Sequence, residues 1–146
     1  MIKKILVIED DPGTLRLIEY TLQHAGYQVL LAKNGLEGLR KAQKGGPDLI
    51  ILDVMLPGID GFEICHRLRA EAQTARVPIL MLSGKAQEID KATGLHVGAD
   101  DYLTKPVYPS EVVSQVETLL AQNTAAGSIR EVAQHIIAQE EEHDHR

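Results

Sequence analysis

What this chain lacks narrows its function before any motif is read. It has one cysteine, Cys65, which excludes an internal disulfide and any multi-cysteine metal site. Cys65 lies on an apolar helical stripe and is expected in the core. No apolar run approaches the ~20 residues of a membrane span, and no signal-peptide pattern opens the chain. The expectation is a cytoplasmic protein with no membrane partner. Positive charge is also short. Fifteen Lys and Arg stand against 21 Asp and Glu, a formal net charge of -6. Direct nucleic-acid binding is therefore disfavoured as the main activity.

What is present is ordinary in bulk. The 146 residues suit one domain with a sizeable core, 44% hydrophobic and 25% charged. The pattern along the chain is more telling. Strand-like apolar runs are expected at Ile2–Ile8, Gln28–Ala32, Asp48–Leu52, Val77–Leu82 and Ala99–Leu103. Their continuous apolarity marks strands covered on both faces. Between them lie stripes at helical spacing: Leu15, Ile18, Leu22 and Ala25 before Gly26, then Leu36, Leu39 and Ala42 before Gly45-Gly46-Pro47. Phe62, Cys65 and Leu68, with Ile64, form a third, Ile89, Ala92 and Leu95 a shorter fourth, and Val112, Val113, Val116, Leu119 and Leu120 a fifth, with Pro109 suited to its first turn. Five strands alternating with five helices predict a doubly wound α/β fold with a parallel sheet.

In such sheets ligands sit outside the carboxyl ends of the strands. The polar residues gather there. Glu9-Asp10-Asp11 follow the first strand, Asp53 the third and Ser83 the fourth, and the fifth leads to Lys105-Pro106. Each alone has a bland reading as a helix cap, turn residue or surface lysine. Together they describe a site. Clustered carboxylates repel, by roughly 4 kcal/mol for two charges 4 Å apart at an effective dielectric near 20, and a hard cation such as Mg²⁺ relieves that repulsion. A lysine and a serine hydroxyl suit a phosphoryl group, and an aspartate can attack phosphorus to give an acyl phosphate.

The motifs "ILVIEDD", "PDLIILDVMLPGIDGFE", "VPILMLSG" and "GADDYLTKP" resemble, in order and spacing, the receiver domain of two-component response regulators over residues 1–122. The resemblance implies a flavodoxin-like sheet of order 2-1-3-4-5 with five flanking helices. It implies Asp53 as phosphoacceptor for a sensor histidine kinase or phosphotransfer protein. Asp10 and Asp53 would hold Mg²⁺, helped by Glu9 and the backbone carbonyl of Met55. Ser83 and Lys105 would contact phosphoryl oxygens, Tyr102 would be the switch residue, and the Lys105–Pro106 bond would be cis. Such a chain is not an enzyme but a phosphoacceptor that assists its own phosphotransfer and dephosphorylation, and it signals by changing its binding to a downstream protein. Asp11 reads as a solvated neighbour or helix-start residue.

Rival readings fit less well. Phosphatases of the haloacid-dehalogenase type need a second aspartate two residues after the nucleophile, where Met55 stands. Flavodoxins cradle a flavin phosphate that Glu9-Asp10-Asp11 would repel. Gly35 and Gly38 lie in or beside a helix and lack a phosphate-loop context, and His143 and His145 sit among acids at the chain end. Receivers that dimerise through the fourth helix, fifth strand and fifth helix carry basic residues in the last helix. Lys91, Asp100, Asp101 and Glu111 fit that charge pattern, but residues 109–122 contain no Lys or Arg.

Residues 123–146 are expected to form a linker, a short amphipathic helix and a disordered acidic end. Ser128-Ile129-Arg130-Glu131 matches a capping box ahead of Ile129, Val132, Ile136 and Ile137. The segment is too short for an output domain. The chain reads either as a stand-alone receiver or as a receiver fragment of a larger regulator, and its tail is expected to support a homodimer.

Overall fold

The computed structural model describes residues 1–84 and 98–124. In chain order the elements are β1 (Lys4–Ile8), α1 (Pro12–His24), β2 (Gln28–Ala32), α2 (Gly35–Gly45), β3 (Leu49–Asp53), α3 (Gly61–Ala70), β4 (Ile79–Ser83), β5 (Asp101–Thr104) and α4 (Pro109–Thr124). The expected helix at Ile89–Leu95 and the tail helix lie outside the described residues. The last helix runs through Thr124, two residues past the expected end of the domain.

All five strands pair in parallel in the order β2-β1-β3-β4-β5. The continuous apolar runs become the three central strands, whose residues Ile5–Ile8, Leu49–Leu52 and Ile79–Leu82 are fully buried. Alternate side chains serve opposite faces. Leu6, Ile8, Ile50, Leu52, Ile79 and Met81 pack with Ile64, Cys65 and Leu68 of α3 and Ala42 of α2. Ile5, Val7, Leu49, Ile51, Leu80 and Leu82 pack with the α1 stripe Leu15, Ile18 and Leu22 and the α4 stripe Val112, Val116 and Leu119. Each such residue contributes about 1.5–3 kcal/mol by leaving water, and sandwiching the sheet leaves its strand ends open.

Local chemistry sets where the helices start. Asp11, Asn34 and Asp60 each stand in extended backbone and accept from the amide three residues on, at Thr14, Glu37 and Glu63, each at 2.9 Å. Each cap is worth about 1 kcal/mol. Gly26 has φ 96°, a conformation that spares α1 a strained exit into β2.

Two boundaries differ from expectation for stated reasons. The first strand begins at Lys4, where its first sheet partner, Gln28, is met, and Ile2 is left exposed. In α2 the buried face is Gly35, Gly38 and Ala42, and Leu36 points to solvent at 63% exposure. A Cβ on Gly38 would stand 2.5 Å from Ile8 Cδ1. The glycine pair that resembled a phosphate loop is instead the close contact between α2 and the sheet.

Candidate functional site

The carboxyl ends of β1, β3, β4 and β5 meet at one rim. Glu9 follows β1 and is held in place by its amide, which donates to the Ala32 carbonyl at 3.0 Å. Asp53 is the last residue of β3 and Ser83 the last of β4, both buried. Lys105 follows β5, its amide donating to the Ser83 carbonyl at 2.6 Å, and the Lys105–Pro106 bond is cis. The Asp53 backbone is itself tightly covered. Gly61, the first residue of α3, donates its amide to the Val54 carbonyl at 2.9 Å. A Cβ on Gly61 would overlap the Asp53 carbonyl oxygen and the Val54 Cα, so only glycine lets α3 start there.

Among the described residues, Lys105 brings positive charge to the rim. Its Nζ donates to Glu9 Oε1 at 2.7 Å and lies 3.4 Å from Asp53 Oδ2. Met55 adds a backbone amide, donating to Asp53 Oδ1 at 3.3 Å. Glu9, Asp10 and Asp53 each offer a carboxylate oxygen, all within 4.8 Å of one another. Among the described residues, Glu9 Oε2 is a buried oxygen without a hydrogen-bond partner. Asp11, by contrast, is exposed and occupied as the α1 cap, its Oδ2 accepting from both the Thr14 amide and hydroxyl.

The electrostatics follow from this geometry. Burial, and then the neighbouring Asp53 carboxylate, push Glu9 up to about 8, with Lys105 pulling the other way. Burial works against the Lys105 ammonium, but the Glu9 hydrogen bond and the charges of Glu9 and Asp53 outweigh it and hold Lys105 above its ordinary value. A site with three acids, one lysine and an orphaned buried oxygen fits a hard divalent cation, because such an ion offers positive charge and accepts oxygen ligands.

The structure therefore brings Glu9, Asp10, Asp53, Ser83, Lys105 and the Met55 backbone to one rim. Tyr102 lies on β5, half-buried beside the α3-side core and opposite Met81 of β4. One expected surface charge is misplaced. Asp100 is buried: its Oδ2 accepts from Arg69 Nη2 at 3.0 Å and from the Ile79 amide at 2.8 Å. It does not join Asp101 and Glu111 on an outer face. The sequence alone did not reveal this ion pair, since nothing in local spacing links position 69 to position 100. The positive φ of Gly98, 102°, with Arg69 stacked where its Cβ would be, marks the same junction.

A family model described as the response regulator receiver domain matches residues 5–117. The alkaline phosphatase synthesis transcriptional regulatory protein PhoP of Bacillus subtilis is 47% identical over 132 residues, 90% of this chain and 54% of that protein. The chain spans about half the length of the curated relatives it matches. Among solved structures, the chemotaxis response regulator CheY4 of Vibrio cholerae is 36% identical with a TM-score of 0.77, covering 81% of this chain and 98% of that one. The receiver domain of a sensor histidine kinase from Pseudomonas aeruginosa, with a magnesium ion coordinated in its active site cleft, is 32% identical with a TM-score of 0.77. That match covers 83% of this chain and 99% of the other.

Proposed function

The chain belongs to the response regulator receiver domain family, and on that premise we propose that Asp53 accepts a phosphoryl group from a phosphohistidine of a kinase or phosphotransfer protein, in a Mg²⁺-dependent reaction. The observation that carries this reading is the Lys105 ammonium bridging Glu9 and Asp53 beside three clustered carboxylate oxygens. Asp53 is the nucleophile: its oxygen forms the new O–P bond as the donor's N–P bond breaks and the electron pair returns to the imidazole. Asp10, Asp53, Glu9 and the Met55 carbonyl are the groups that would hold the cation. When bound, the cation supplies the positive charge that lets an anionic carboxylate approach an anionic phosphoryl group.

The remaining roles belong to residues of the rim. Lys105 holds one phosphoryl oxygen as a point charge, and the Ser83 hydroxyl donates to another. Their movement toward the phosphoryl group biases β4 and β5, and Tyr102 changes its burial in response. The output is a change in affinity for a downstream protein, and the chain is a phosphoacceptor rather than a turnover enzyme.

Acetyl phosphate with Mg²⁺ tests the reading through the intact mass of the protein. The expected result is one phosphoryl group per chain, absent from Asp53→Asn. Continuous phosphate release with no labelled protein would point to a phosphatase, and labelling of Asp53→Asn would overturn the acceptor assignment.

A further inference from the structure

Among the described residues β2 is an edge of the sheet, paired with β1 and with no other strand. An open strand edge is a template on which another chain can add a strand. At the two ends of β2, the Gln28 amide donates to the Lys3 carbonyl and the Ala32 carbonyl accepts from the Glu9 amide, each at 3.0 Å. Alternation along the strand therefore turns the backbone groups of Val29, Leu31 and Lys33 away from β1, toward the open side. The side chains of Tyr27, Val29 and Leu31 are only half-buried against the core. The edge is apolar as well as open.

Two side chains of α2 reach around to this edge. Lys41 Nζ donates to the Leu31 carbonyl at 2.5 Å, and Glu37 Oε2 accepts from the Lys33 amide at 3.3 Å. They are also joined to each other, Lys41 Nζ to Glu37 Oε1 at 2.9 Å, one helical turn apart. That hydrogen bond from Lys41 holds the Glu37 carboxyl below its usual range. In a parallel ladder, one residue donates to a carbonyl of its neighbour strand and accepts from the amide two positions further on. The Leu31 carbonyl and the Lys33 amide are such a couple. We infer that the Glu37–Lys41 pair stands in for one residue of a sixth strand and closes the β2 edge to strand addition by a second copy of this chain. Every copy presents the same apolar edge, so two uncapped edges are self-complementary around a twofold axis. Fold stability does not account for the pair. Its side chains are 43% and 27% exposed, and an ion pair so exposed adds little to folding.

Sedimentation velocity and amide exchange on the unphosphorylated full-length chain test this. A chelator is present, so the outcome does not depend on Asp53 as acceptor. Lys41→Met removes the donor at nearly constant size. It should melt close to the wild-type temperature and form larger species as concentration rises, beyond any association of the wild type. The Val29 and Leu31 amides should become protected as it does so. Lys41→Arg keeps a donor and should sediment as the wild type. Glu37→Ala should leave the Lys33 amide exchanging about fivefold faster. Lys41→Met that sediments as the wild type, or that associates with Val29 and Leu31 unprotected, would overturn the closure of this edge. Equal association of Lys41→Arg would overturn the lysine hydrogen bond as its cause. Unchanged Lys33 exchange in Glu37→Ala would overturn the strand-like pairing, and that measurement holds even if Lys41→Met fails to fold.

Discussion

Two charged clusters sit at opposite ends of the same sheet, and they are built to different rules. At the start of β4 and β5, Arg69 and Asp100 form a buried pair, with side chains 12% and 2% exposed. Arg69 spends its other donors on the carbonyls of Gly98, Thr74, Ala75 and Val77, at 2.6–3.3 Å. Here a cation faces an anion, and nearby backbone carbonyls accept from the same guanidinium. At the far end of the same strands, three acids, Glu9, Asp10 and Asp53, crowd around Lys105. Charge that holds the fold together is matched, because an unmatched buried ion costs several kcal/mol. Charge left unmatched at a rim stores repulsion that an incoming cation and phosphoryl group can relieve. The contrast is one of charge count: one cation facing one anion at one end, three acids around one lysine at the proposed site.

The sharpest way to break that contrast is a crossed pair of variants. Asp53→Asn should lose labelling by acetyl phosphate entirely while melting at or above the wild-type temperature without metal, because one repelling charge is gone. Arg69→Met should do the reverse. Leaving Asp100 buried without its cation should cost about 3–5 kcal/mol, a fall of roughly 10–20 °C in melting temperature. Protein that remains folded in the cold should still accept phosphate on Asp53. Calorimetry and intact-mass measurement on both variants check this, and a stable Arg69→Met would erase the distinction.

The next effect is that of the cation. On the proposed reading Mg²⁺ would bind only the native arrangement of acids, so at a hundredfold excess over its dissociation constant it should stabilise by about 2.7 kcal/mol, several degrees by thermal melting. Asp10→Asn should shrink that response. Arg69→Met should keep the whole Mg²⁺-dependent rise, from a lower baseline. A melting temperature indifferent to millimolar Mg²⁺ would remove the functional half of the comparison.

Gly61→Ala should sharpen it from the backbone side. The added methyl meets the Asp53 carbonyl and the Val54 Cα rather than a flexible side chain. The β3–α3 junction must shift, and labelling of Asp53 should slow by about tenfold or more, since small misplacements at a reacting group are costly. Stability should fall by about 1–3 kcal/mol. Stopped labelling time courses with the Gly61 variant would measure this, and wild-type rates would show that the close passage is irrelevant to the site.

The smallest effect is a pH dependence. Glu9 is held above its ordinary value, up to about 8, so between about 4.5 and 8 the folded protein binds more protons than the unfolded one. Stability of the metal-free protein should therefore decline as pH rises through that window. Glu9→Gln should flatten the decline. Urea titrations at several pH values in a chelator read it out, and a rising profile would contradict the burial of Glu9 as its cause.

The sequence by itself determined the sheet and the identity of the rim. Short continuous apolar runs between helical stripes point to strands covered on both faces, and in a parallel sheet the residue after each run emerges at the same end. Glu9, Asp53, Ser83 and Lys105 were therefore legible as one group, while Asp11 read as either a solvated neighbour or a helix-start residue, and the α1 cap settles it as the latter. Contacts that depend on distance through space were decided only by the tertiary structure. The turn of α2 that buries Gly38 against Ile8 and exposes Leu36 follows from how closely that helix approaches the sheet, which no helical period encodes. Arg69 and Asp100 lie 31 positions apart and meet because α3 and the entry to β5 dock on one face. The complete burial of Glu9, and with it the orphaned oxygen, came likewise from packing. A sequence specifies which charges reach the rim, while the depth of each, and what remains to balance it, belongs to the folded chain.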